Sequence, residues 1–221
     1  LFYGYYFEFP PLRNGAPYSG HYALPKVLAS PDIDVLCAPI SYFDRGWPGT
    51  APCMSPAESV MAAGKLWLNE DDTRTYLART TAYGGVADLP QTLDVMRRNG
   101  AQALLRGFGT WWMDLPGGNW FGDARIWEVQ RELNPLEERL LARRAPFQPE
   151  IAAIVGQDAM CQLTGGSSVL ARPLVYESRA ALGRSGAPYG QYLLDDAVAG
   201  RVPGRLQFLL AAWSLTSAER D

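Results

Sequence analysis

The strongest constraint on this chain is an alternation. Over residues 1–144, short apolar runs with strand composition take turns with helix-spaced segments, about 35 residues to each pair. The runs cover 2–9, 33–41, 65–69 and 103–110; the helical segments cover 22–29, the stretch from Ser55 to Gly64, 89–98 and 123–144. Ser55-Pro56-Ala57-Glu58 has the residues of a helix start: a capping hydroxyl, a proline at the first helical position and an early acid. Asn99-Gly100 reads as a helix stop. Strands separated each time by a helix predict a parallel sheet, because parallel neighbours need a long crossover.

Four such units are half of an eightfold (β/α)8 barrel, and an open doubly wound sheet has the same local signature. The loops distinguish the two. Those following Phe9, Ser41, Asn69 and Thr110 hold nearly all the Trp, Tyr, His, Glu and Asp of the region, whereas 30–32, Gly64 and Asn99-Gly100 are short and plain. Functional residues gathered at strand C-termini are the barrel arrangement. The expected fold class is therefore α/β, with residues 1–145 as the C-terminal half of a barrel. Ala145-Pro146-Phe147-Gln148-Pro149 reads as a linker. Beyond it, strands at 150–155, 189–193 and 206–211 and helices at 168–183 and 195–199 predict a partial second α/β domain over 150–221. The chain opens inside a strand-type run and closes as a helix begins near Ser214, so both ends read as cuts in a longer protein.

Composition narrows the function. A net charge of -3 with scattered basic residues leaves no cationic stripe for phosphates, which argues against a nucleic-acid partner. No apolar stretch reaches the roughly 18–20 residues that span a bilayer, so no membrane partner is expected. Cys37, Cys53 and Cys161 form neither a metal pair nor an even disulfide framework. Seven Trp and eleven Tyr are the outstanding feature, many of them beside Gly, Pro and Asp in loops. Such surfaces suit sugars: a ring covers the C–H face of a pyranose while neighbours bond its hydroxyls.

Glu70 follows Lys-Leu-Trp-Leu-Asn and so ends a buried strand, where a barrel points side chains into its mouth. A carboxylate there is placed to attack an anomeric carbon; a salt-bridged surface residue is the plain alternative. Tyr42 and Arg74 are candidates to keep it ionised. Glu70, Asp71 and Asp72 in a row read as partners for Arg74 and Arg79 rather than as a metal cluster. His21, the sole histidine, is either a sugar-hydroxyl ligand or part of a capped helix start. Trp47, in the long loop after the second strand, is a candidate subsite cover. Gly165-Gly166-Ser167 lacks phosphate-loop spacing and reads as a helix entry turn.

Taken in order, Gly4-Tyr5-Tyr6-Phe7-Glu8, Ser19-Gly20-His21-Tyr22-Ala23-Leu24, Ser30-Pro31-Asp32-Ile33-Asp34 with Ala38-Pro39-Ile40-Ser41-Tyr42, and Gly64-Lys65-Leu66-Trp67-Leu68-Asn69-Glu70-Asp71-Asp72-Thr73-Arg74 resemble the later strands of β-galactosidase-like glycoside hydrolases, the family 42 type of the large retaining clan. The resemblance implies that these are barrel strands five to eight and that Glu70 is the nucleophile. It implies Tyr42 as the nucleophile's hydrogen-bond partner and Trp111 or Trp112 as the floor of the sugar site. His21, Trp47, Arg74 and Asp114 are then further substrate contacts. The acid/base Glu belongs to strand four, upstream of Leu1, so the piece by itself is expected to be inactive. Asn69-Glu70 also resembles the clan's acid/base pair, which would make Glu70 the acid; the His21 and Tyr42 segments favour the nucleophile strand. Residues beyond the linker resemble the opening of the flavodoxin-like oligomerisation domain of family 42, implying an oligomeric parent. The implied activity is retaining hydrolysis of a β-galactoside or related β-linked sugar, without a cofactor. The rival readings are a non-catalytic carbohydrate-binding or assembly protein on a decayed barrel, and an unrelated α/β enzyme with its ligand at a switch point.

Overall fold

The computed structural model describes residues 1–4, 21–115, 117–143, 145–162 and 168–220. The Gly4–Glu8 and Ser19-Gly20 motifs beyond Gly4, the first strand beyond Tyr3, the loop 10–20 and Gly165-Gly166-Ser167 lie outside these residues. The chain is an α/β protein with two parallel sheets. The strands are β1 (Phe2–Tyr3), β2 (Val35–Pro39), β3 (Leu66–Asp71), β4 (Gly109–Trp112), β5 (Ile151–Val155), β6 (Tyr189–Leu193) and β7 (Leu206–Ala211). The first four hydrogen-bond in the order β1-β2-β3-β4 and the last three in the order β6-β5-β7. The β1/β2, β3/β4, β5/β6 and β5/β7 pairs are parallel, as crossover helices require.

The helices of the first part are α1 (Leu24–Ala29), α2 (Ala57–Ala62), α3 (Leu89–Arg106) and α4 (Ala124–Arg143). Two compact units divide the chain. The first comprises Leu1–Ala38, Pro52–Trp67 and Gln148–Asp221; the second comprises Pro39–Ala51 and Leu68–Phe147.

Within the second unit, α3 and α4 enclose Met96, Trp120, Phe121, Ile126, Val129 and Leu133. Here the structure corrects the expected helix stop at Asn99-Gly100. Helix α3 runs eight residues past Arg98, to Arg106, and absorbs 103–106, which the composition had placed in a strand. Packing explains the difference. The Asn99 side chain is turned to Asp71 Oδ2 (2.9 Å) and Thr73 Oγ1 (3.3 Å) instead of capping its own helix. At Gly100 a Cβ would stand 2.3 Å from Leu133 Cδ1, so the glycine serves a close helix–helix approach. The stop is Gly107, at φ 73, whose N–H caps the carbonyls of Ala103 and Leu104. At the other end Asp88 accepts the Gln91 N–H (2.9 Å) as an N-cap.

Within the first unit, β5 is central and buried from Ala152 to Val155, as a strand covered on both faces must be. Its sheet continues into α5 (Gln157–Cys161), α6 (Ser168–Ala171), a π-helical stretch (Arg172–Glu177), α7 (Ser178–Gly183), α8 (Leu194–Val198) and α9 (Ser217–Arg220). Pro173 has no N–H to offer the fourth residue before it, and the helical ladder widens at that point. The edge strand β6 is closed by α2. Gln191 N–H donates to Glu58 Oε2 (2.6 Å) and Leu193 N–H to Ser59 Oγ (2.8 Å). The Gln191 amide reaches the carbonyls of Cys53 and Ser55, and the buried Arg179 also donates to Cys53 O. Ser55 is therefore not the cap expected of it. Its hydroxyl donates to Gly4 O (3.2 Å), Pro56 occupies the cap position, and Glu58 serves the sheet edge.

Candidate functional site

Five consecutive polar residues at the C-terminal end of β3 and just beyond it are buried: Asn69, Glu70, Asp71, Asp72 and Thr73. Buried polar groups persist only with partners, so the surroundings of this run are informative. This run and the side chains around it belong to the second unit.

Strand alternation separates the carboxylates. Asp71 points to the helix layer, where it accepts Asn99 Nδ2 (2.9 Å) from α3 and the Thr73 N–H (3.1 Å). Its register partner Trp112 shares that face and meets Trp127 of α4 edge-on, with ring centroids 5.2 Å apart. Glu70, 2 % exposed, projects to the opposite face, beside its register partner Trp111. Trp111 and Trp112, equivalent candidates in the sequence, thus have different places: one next to Glu70, the other in the helix core.

Asp72 is bound by two groups from the loop after β2. The Tyr42 hydroxyl donates to Asp72 Oδ2 (2.7 Å), and the Arg45 guanidinium forms an ion pair with Asp72 Oδ1. Arg45 also donates to the carbonyls of Asp72 (3.3 Å) and Tyr83 (2.7 Å) and lies over the Tyr42 ring at 4.1 Å. Sequence reasoning did not single out Arg45. Its partner is 27 residues away, and no local pattern distinguishes it from an ordinary surface arginine.

Arg74, half-buried, lies over the ring of Tyr83 (4.4 Å), with Trp120 at 5.3 Å and Tyr42 at 5.9 Å. Its Nη1 is buried and meets no hydrogen-bond acceptor among the described residues. Asp114 organises the loop that delivers Trp120, accepting the N–H groups of Gly118 (2.9 Å) and Trp120 (3.2 Å). Trp47 is 52 % exposed on a loop held by Arg98, which donates to the carbonyls of Arg45, Gly46 and Gly49. A loop tied down this way presents its tryptophan without a large ordering cost on binding.

His21 belongs to the first unit and is partly buried, and burial lowers its pKa below the ordinary 6.5. Between that depressed value and 6.5 the unfolded chain binds more protons than the folded one. The His21 contribution is complete above 6.5 and declines as pH falls through the depressed pKa. The imidazole proton resonances are expected to titrate with a midpoint below 6.5; a midpoint at or above 6.5 contradicts this.

Among the described residues no group of three His, Cys, Asp or Glu side chains is arranged to hold a metal ion, and no helix is long and apolar enough to cross a membrane. Comparison with protein-family models, with curated proteins and with solved structures gives no match.

Proposed function

We propose that this chain carries the nucleophile side of the active site of a retaining glycoside hydrolase, acting on a β-galactoside or related β-linked sugar. The observation that carries the reading is Glu70: a buried carboxylate at the C-terminal end of a parallel strand, facing away from the helix layer, with Trp111 beside it. In this reading Glu70 attacks the anomeric carbon from the face opposite the leaving group. The C–O bond to that group breaks, a second carboxyl protonates the departing oxygen, and a glycosyl ester forms on Glu70. Water, deprotonated by the same second carboxyl, then displaces Glu70, and two inversions give net retention. Trp111 offers an aromatic surface for the C–H face of the sugar.

The consecutive strand order β1-β2-β3-β4 is compatible with half of a (β/α)8 barrel, and this is how we read the first four strands. The order β6-β5-β7, second-first-third along the chain, is the order in which a flavodoxin-like sheet begins, and supports that reading for the last three.

The test is covalent trapping in the full-length protein with a 2,4-dinitrophenyl 2-deoxy-2-fluoro-β-galactoside. Its leaving group departs without protonation and its fluorine slows hydrolysis of the ester, so trapping does not depend on the acid/base. A fluorosugar adduct on the peptide containing Glu70 is expected. An adduct on a different carboxylate overturns the assignment, and galactoside binding without any adduct favours the non-catalytic sugar-binding alternative.

A further inference from the structure

We propose that Arg74 is the receptor for an anionic substituent on the bound sugar, and that the ligand class is a β-linked uronoside carrying a carboxylate. The inference rests on the preceding reading for the sugar, and on Arg74 itself for the anion.

A guanidinium has two faces and an edge. Its faces interact with π systems, and its in-plane N–H groups need acceptors. At Arg74 the rings of Tyr83, Trp120 and Tyr42 surround the guanidinium carbon, whereas the buried Nη1 has no acceptor among the described residues. A buried, unpaired N–H of a charged group is costly, and an incoming anion removes that cost. The other acids of this unit's loops have donors of their own. Asp72 is bound by Arg45 and Tyr42, Asp71 by Asn99 and Thr73, Asp114 by two backbone N–H groups, and Asp123 by Arg125 and Tyr76.

The backbone around Arg74 is fixed without a ligand. Tyr83 sits in the left-handed region (φ 54, ψ 36), its carbonyl held by the buried Arg45. Beside it, Gly85 passes so near Thr80 O that a Cβ would lie 2.0 Å from it. A non-glycine residue in that backbone region is strained, and such strain recurs at ligand clamps. Tyr83 is 47 % exposed, so its side chain is free to swing outward and admit a ligand to the covered Nη1. A planar carboxylate matches the in-plane geometry of a guanidinium, and aromatic rings beside it suit a sugar ring bearing that carboxylate. A free oxyanion shares the charge but has no use for the aromatic wall.

The test is titration calorimetry on the full-length protein with methyl β-galacturonoside, methyl β-galactoside and inorganic phosphate. The wild-type protein is expected to bind the uronoside at least about tenfold more tightly than the neutral glycoside, from the charge-assisted hydrogen bond gained. Arg74→Gln is expected to abolish the preference, and Arg74→Lys, which keeps the charge without the fork, to retain part of it. Glu70→Gln is expected to keep it, so a failure of the nucleophile assignment leaves this result standing and distinguishable. Equal binding of the two glycosides by the wild-type protein overturns the proposal, as does a preference that survives Arg74→Gln or the absence of binding to either glycoside. Phosphate binding as tightly as the uronoside overturns the uronoside assignment. Should Arg74→Gln fail to fold, the intrinsic tryptophan fluorescence of the wild-type protein decides: it is expected to respond to the uronoside at concentrations where the galactoside has no effect, and equal responses overturn the proposal.

Discussion

Asp72→Asn is expected to destabilise the protein by about 3–5 kcal/mol, the usual cost of leaving one member of a buried ion pair without its partner. The pair with Arg45 is removed from water on both sides, at 2 % and 0 % side-chain exposure. Asparagine keeps the shape and an acceptor for the Tyr42 hydroxyl, so the change isolates the lost charge. Against a total stability of typically 5–15 kcal/mol, such a loss is severe. It is read as a lower denaturation midpoint at unchanged slope in urea. Replacing both partners, Arg45→Met with Asp72→Leu, is expected to lie nearer the wild type than Asp72→Asn, because no uncompensated charge stays buried. A loss below about 1 kcal/mol for Asp72→Asn would mean that the pair is solvated in solution and that Arg45 does not hold Tyr42 and Tyr83 in place.

With Glu70 as the proposed nucleophile, Glu70→Gln is expected to lower kcat/KM of the full-length protein for an aryl β-galactoside by at least about 10⁴-fold, or about 5.4 kcal/mol of transition-state stabilisation. Glutamine is nearly isosteric with glutamate but cannot form the glycosyl ester, so sugar binding is expected to survive while turnover is lost. Turnover within tenfold of the wild type would rule out Glu70 as the nucleophile. Glu70→Gly with an activated aryl galactoside and added azide separates the two roles a strand-end glutamate can have. If Glu70 is the nucleophile, azide takes its place on the α face and the product is the α-galactosyl azide. If Glu70 is the acid/base, azide attacks the glycosyl ester from the β face and the β-azide forms.

The apolar runs were the most legible part of the molecule. Strands β6 and β7 have the bounds their composition suggests, and β5 and α4 differ from expectation by one residue at a terminus. The buried strands β5 and β6 and a long amphipathic helix announce themselves locally, because burial of nearly every residue, or of one in three or four, is a property of the segment; β7 is apolar but exposed over its first four residues. Helix α3 was misread for the converse reason. Asn99-Gly100 is a stop signal in isolation, but here both residues serve neighbours: Asn99 supports Asp71, and Gly100 admits Leu133 of α4. Ser55 departs from its expected cap role for the same reason, since its partner lies 51 residues away, whereas Glu58 is the early acid expected of it and in addition binds Gln191, 133 residues away along the chain.

The Glu70 carboxylate shows the same division. That Glu70 lies near the C-terminal end of a strand is readable from Lys-Leu-Trp-Leu-Asn-Glu, although β3 runs one residue further, to Asp71, and begins at an exposed Leu66. Which aromatic stands beside it was decided by the β3/β4 register, which gives Trp111 to Glu70 and Trp112 to the helix core. Which cation neutralises Asp72 was decided by tertiary structure as well: Arg45 came to it from another loop, while Arg74, closer in sequence, was left among aromatic rings with an N–H that meets no acceptor among the described residues. Periodicity and hydropathy belong to a segment and are written in its order. Charge pairing and register belong to segments that meet only after folding, and so only the folded chain assigns them.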